Sequence, residues 1–166
     1  MNKGILLICL FLAAALLGGC VSRPVIATGP GLSAVLPYEA AAEPEQHTGA
    51  QVLWGGSILA LENRDSSTEV TILAYPLDRA QRPLPQAPSQ GRFIIVLPGY
   101  VERHDYPDGL FVTLNGRIAG MRAGHVGERD YVFPLVEAEH VHRWPPGFQF
   151  DRPQWHIGIG VGVHIR

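Results

Sequence analysis

Cysteine is nearly absent from this chain: there are two in 166 residues, Cys9 and Cys20. Cys9 lies inside an apolar leader, so once the leader is removed no second thiol remains for a disulfide, a Cys-x-x-Cys redox pair or a zinc knuckle. A domain without such staples must stand on packing. Also missing is any excess of basic residues. Lys3 leaves with the leader, so the 13 basic side chains become 12 against 15 acidic ones, which gives no basic stripe for a nucleic acid. No Gly-x-Ser-x-Gly elbow and no phosphate-cradling glycine loop ahead of a helix occurs. No stretch repeats its apolar residues with a helical period. The longest uncharged apolar run, Gly4 to Leu17, falls short of the ~20 residues a spanning helix needs.

What is present begins with that run. Met1-Asn2-Lys3 supplies a positive start, Gly4 to Leu17 an apolar centre, and Leu17-Gly18-Gly19-Cys20 a small-residue cut site, the order of a secretory signal peptide. The cysteine after the small pair resembles the bacterial lipobox, which implies a leader over 1–19 and an acylated Cys20 as the first mature residue. One acyl chain anchors marginally, and two or more hold, at about 0.8 kcal/mol per buried methylene. Val21 stands where retention in the inner membrane would call for aspartate. The resemblance therefore implies a lipid-anchored, periplasm-facing protein of a Gram-negative outer membrane.

The remaining 147 residues suit one domain. Residues 20–49 carry Pro24, Pro30, Pro37 and Pro44 among alanines and glycines and read as a flexible tether reaching about 30 Å. Leu32, Val35, Leu36 and Tyr38 are its candidates for folding back onto the domain. From Gln51 the chain turns β-rich. Gln51–Leu61, Thr68–Leu77, Arg92–Leu97, Leu110–Met121 and Asp130–Trp144 read as strands, with Asn63–Ser67 as a turn. Gly55-Gly56 predicts a bend that lets one strand serve two sides of a small barrel. Asn115-Gly116 fits a bent strand better than a very short hairpin, and Arg122–Arg129 reads as a loop. The expected fold over 50–145 is all-β, a five- to six-stranded OB-like barrel.

Trp54-Gly55-Gly56-x-Ile58, Glu69 before Tyr75-Pro76-Leu77-Asp78, and Gly91-Arg92-Phe93 follow one another in order. Then come Gly109-x-x-Val112-Thr113-x-x-Gly116, Gly127-Glu128-x-x-Tyr131-x-Phe133-Pro134, and Trp144. Together with the lipobox these resemble the Slp family of outer-membrane lipoproteins, named for a starvation-inducible member. The resemblance implies a framework of Trp54, Gly55, Gly56, Arg92, Gly116, Glu128, Tyr131, Pro134 and Trp144. It also implies a link to stationary-phase or acid stress, with no enzyme activity and no cofactor.

Candidate chemistry is sparse. His140 and His142 are two apart on a strand and share a face. With His125, His104 or Glu128 they would approach a metal set; the ordinary alternative is a solvent-facing pair beside Glu137 and Glu139. Glu128 and Asp130 offer a carboxylate pair, although Glu128 more simply ties its loop or pairs with an arginine such as Arg92. Tyr100–Tyr106, Trp54 and the 78–90 loop would together make a small ligand surface. The seven histidines are either an acid-responsive set or scattered surface residues.

The tail, 146–166, alternates strictly. Ile157, Ile159, Val161, Val163 and Ile165 fall on one face, Gly158, Gly160 and Gly162 on the other, and Trp155 precedes them. Its length matches a membrane-spanning β-strand. Such a segment suits insertion, docking on an outer-membrane protein, or stacking with copies of itself; the plainer alternative is a sixth strand over the core.

Overall fold

The computed structural model describes residues 23–148; Cys20 and the alternating tail lie outside them. Six strands form: β1 (Leu32–Ser33), β2 (Gln51–Asn63), β3 (Ser67–Ala74), β4 (Arg92–Pro98), β5 (Phe111–Val126) and β6 (Arg129–Arg143). Their order is β1-β2-β3-β4-β6-β5, and β2 also pairs with β5. That pairing closes β2 to β6 into a five-stranded barrel, with β1 added in parallel at Gln51–Val52. All contacts in the barrel are antiparallel except the β4–β6 seam. The connectivity is that of a Greek-key barrel of OB type. The expected all-β fold is present.

Closure depends on β2 turning a corner. Its first half, Gln51–Ser57, pairs with β5, and its second half, Gly56–Asn63, pairs with β3. The two ladders overlap at Gly56 and Ser57, beside the bend that the glycine pair predicts. Strand β5 is continuous through Asn115-Gly116, with register shifts at Asn115/Gly116 and Ile118/Gly120. It is the bent strand, not the short hairpin. The interior is filled by alternate residues: Val52, Trp54, Ile58, Val70, Ile72, Phe93, Ile95, Val112, Leu114, Ile118 and Val136 are all buried.

Two expectations change. Arg122–Arg129 is not a loop: β5 runs to Val126, and β6 starts at Arg129 after the two-residue turn Gly127-Glu128. Gly127 takes φ +60° while Glu128 does not go positive, the pattern of a type II′ turn with glycine first. Within the stretch read as a tether, the chain is held against the barrel at several points from Ile26 onward. Helices α1 (Pro37–Ala42) and α2 (Pro44–His47) form there, and Ile26, Val35 and Ala40 are buried. Pro37 starts α1 and Glu39 Oε2 accepts the Leu36 N–H at 2.9 Å, which suits a first helical turn. With six and four residues, neither helix is long enough to show a period in sequence.

Candidate functional site

Most of the framework residues hold the barrel together. Trp54 points inward on the parity of Val52 and Ile58. It is buried, donates its indole N–H to Val35 O at 2.8 Å and meets Phe93 edge-on. A Cβ on Gly55 would lie 2.7 Å from Val112 O, one on Gly56 1.9 Å from Leu73 O, and one on Gly116 2.3 Å from Glu137 O. Each is a place where two strands cross too closely for a side chain. Pro134 is buried opposite Met121, one residue before β6 begins to pair with β4, where a missing N–H is tolerated. Trp144 donates its indole N–H to Thr113 Oγ1 at 2.9 Å and stacks on Phe148.

Two expected arrangements do not form. Glu128 sits exposed at the hairpin tip and, among the described residues, makes no ion pair with Arg92. The ligand surface of Trp54 with Tyr100–Tyr106 is likewise not built, because Trp54 is in the core while Tyr100 stands out in solvent. His140 is exposed. His142 packs against Trp144, and burial pushes its pKa below the ordinary value. Among the described residues no group of three His, Cys, Asp or Glu side chains is placed to hold a metal ion.

The structure instead reveals a concave face on the outside of β2, β3 and β4. Ala60, Thr71 and Ile94 face outward there in register, with Glu69 beside Glu62. The long β5–β6 hairpin arm folds over one side of it, bringing Arg122, Gly124, His125 and Phe133. The resulting cavity has a volume of about 400 Å³, within the usual range for small-molecule sites. Two contacts latch the arm to the sheet. Arg122 grips Glu69 with both guanidinium nitrogens, one bond to Oε2 and one of 2.7 Å to Oε1. The Arg92 N–H donates to the Tyr131 hydroxyl at 2.7 Å, with the Tyr131 ring resting on Phe133.

Glu69 is the centre of this network. Arg64, on the β2–β3 turn, donates to its Oε2 from Nε at 3.3 Å and from a terminal nitrogen at 3.2 Å, and also pairs with Glu62 at 2.6 Å. The Arg122 hydrogen bond holds the Glu69 carboxyl below the usual carboxylate range, outweighing the opposing effect of burial. Glu69 and Arg122 are 53 residues apart, so no local spacing announces them. The available signal was an acidic residue inside a β-rich run, which needs a cationic partner if its face is covered. The cover comes from the hairpin arm, whose Arg122–Arg129 stretch has the composition of a loop.

The family model described as outer membrane lipoprotein Slp family matches residues 17–158. The uncharacterized lipoprotein YeaY of Escherichia coli (strain K12) is 30% identical over 135 residues, covering 79% of this chain and 68% of that protein. Outer membrane protein Slp of the same organism is 28% identical over 146 residues, 87% of this chain and 76% of that one. An uncharacterized protein of Haemophilus influenzae is 28% identical over 100 residues, 60% of this chain and 54% of its own. No solved structure matches the chain. The family match runs from before Cys20 through the whole barrel and into the tail: the chain belongs to the Slp family of outer membrane lipoproteins.

Proposed function

We propose that this protein is anchored in the outer membrane by acyl chains on Cys20 and faces the periplasm. There it acts as a non-enzymatic envelope component in starvation or acid stress, through contact with the membrane or with protein partners. One observation carries the interaction reading. Gln81 fastens both backbone groups of Ile26 (Ile26 N–H to Oε1 at 2.8 Å, Nε2 to Ile26 O at 3.0 Å). Thr113 Oγ1 then donates to Gln81 O at 2.6 Å and accepts from Trp144. The segment after the anchor and the segment before the tail are thus joined by one hydrogen-bonded chain at one end of the barrel. Ile26 lies six residue steps beyond Cys20, so the lipid would hold that end within about 20 Å of the headgroups. The tail residues Trp155, Ile157, Ile159, Val161, Val163 and Ile165 follow Phe148 in sequence, and they are the segment proposed to meet the membrane, an outer-membrane protein or a second copy.

Cross-linking in intact outer membranes tests this, comparing the full chain with one ending at Arg152. A ladder or a discrete partner band that requires residues 153–166 is expected. Identical monomeric patterns from both chains would contradict it. A second reading, a binding module for a small envelope ligand on the OB-like face, is favoured by the concavity beside Glu69.

A further inference from the structure

The groove beside Glu69 holds charges that do not cancel. Its acidic side chains, Glu62 and Glu69, are taken up by Arg64 and Arg122. The third arginine of the lining, Arg92, has no ion pair or side-chain hydrogen bond among the described residues, although it is half-buried. His125, also on the rim, has Nε2 3.1 Å from Asp130 Oδ1 and adds positive charge when protonated. The Arg92 guanidinium opens to the groove without an anion and so presents a free fork of donors. Planar bidentate partners, carboxylate or phosphate, complement it.

The rest of the groove narrows the ligand further. Arg92 stands opposite Leu73, and Glu69 lies four residues back along β3, about 13 Å away at strand spacing. Between them lie the Thr71 hydroxyl, the apolar Ile94 and the ring of Phe133. A free guanidinium at one end, an apolar wall in the middle and a carboxylate with two guanidinium groups at the other match a sugar ring that carries an acidic substituent. Its hydroxyls meet Thr71 and the Glu69 cluster, and its less polar face meets Ile94 and Phe133. The face lies between the β2–β3 turn and the β5–β6 turn, the position from which OB barrels bind saccharides. We propose that this groove binds an anionic saccharide, a sugar phosphate or sugar acid, with Arg92 holding the oxyanion. The proposal names the ligand class for the binding-module reading and rests on it.

The test is calorimetric titration of the full lipidated chain in neutral detergent at low salt with glucose 6-phosphate, glucuronate, glucose and inorganic phosphate. The two anionic sugars are expected to bind, and glucose and phosphate each to bind at least about tenfold more weakly. Arg92→Gln, which removes no ion pair or side-chain hydrogen bond among the described residues, is expected to lose about ten- to hundredfold in affinity for glucose 6-phosphate with its melting temperature nearly unchanged. Arg117→Gln, outside the groove, is the control and keeps full affinity. Equal binding by Arg92→Gln and the native chain, or no binding of either anionic sugar at about 10 mM, would overturn the proposal. Glucose binding as tightly as its phosphate would overturn the oxyanion assignment and leave the binding module standing.

Discussion

Gly56→Ala is expected to cost the barrel about 3 kcal/mol or more, lowering its thermal midpoint by about 10 °C or preventing folding. The reason is space, since Gly56 has no positive φ. It pairs with Ala74 of β3 and with Val112 of β5 at once. An added Cβ would lie 1.9 Å from Leu73 O, 2.7 Å from Leu73 C and 2.9 Å from Ala74 Cα. These are backbone atoms of a central strand, and none can swing aside as a side-chain tip would. Moving β3 away would open the β2–β3 ladder at the corner where β2 passes from β5 to β3. Gly120→Ala is the matched control: it lies at the second register shift of β5 and a Cβ there meets nothing within 4 Å. Its melting curve should stay within about 0.5 kcal/mol of the native one. A Gly56→Ala chain that melts like the native protein would mean that β2 does not turn its corner there.

Glu69→Ala is expected to be the most damaging change outside the barrel interior, at about 2–4 kcal/mol. The carboxylate is nearly enclosed, its side chain 11% exposed, whereas Arg122 and Arg64 are 38% and 51% exposed. Those partly hydrated arginines place the loss below that of a fully buried pair. Without the carboxylate, Arg64, Arg92 and Arg122 are left on one groove, and the hairpin arm loses one of its two hydrogen-bonded latches, keeping the Tyr131–Arg92 bond. The contribution depends on pH. Because the folded pKa of Glu69 lies below its ordinary 4.5, the folded state prefers the ionised form. The stabilisation is complete above the unfolded value and is lost as pH falls from about 4.5 through the folded value. Urea midpoints of the native chain and Glu69→Gln should therefore differ clearly at pH 7 and converge towards pH 3. An equal difference at both pH values would show that the clasp is not ionic. His142 acts in the same direction at higher pH. Its folded pKa is lowered by burial, so the unfolded chain takes up its proton first and stability declines below about pH 6.5. A stress role in acid would thus have to be fulfilled by a barrel that acid weakens.

The barrel was legible because its signals are local. Alternation along 51–61 and 92–97 marks strands, and glycines at 55, 56 and 116 mark the corners where strands cross. The framework residues Trp54, Pro134 and Trp144 then fall in or against the core. Other features depend on partners distant in sequence. The Gln81 clamp on Ile26 spans 55 residues and the Glu69–Arg122 clasp 53, and neither has a spacing to read. The expected Glu128–Arg92 pair failed for the same reason: one tight turn at Gly127 carries Glu128 to the hairpin tip and presents Tyr131 to Arg92 instead. Tyr100–Tyr106, Trp54 and the 78–90 loop suggest a ligand surface by their composition, whereas the concavity is lined by arginines from three separate segments that only the closed barrel brings together.

The most direct test of the account is metabolic labelling with palmitate, followed by separation of inner and outer membranes, for the native chain and Cys20→Ala. The native protein is predicted to carry label and to sediment with the outer membrane. The Cys20→Ala chain is predicted to carry none and to leave that fraction. Label retained after the substitution, or an unlabelled native chain, would contradict a lipid anchor at Cys20.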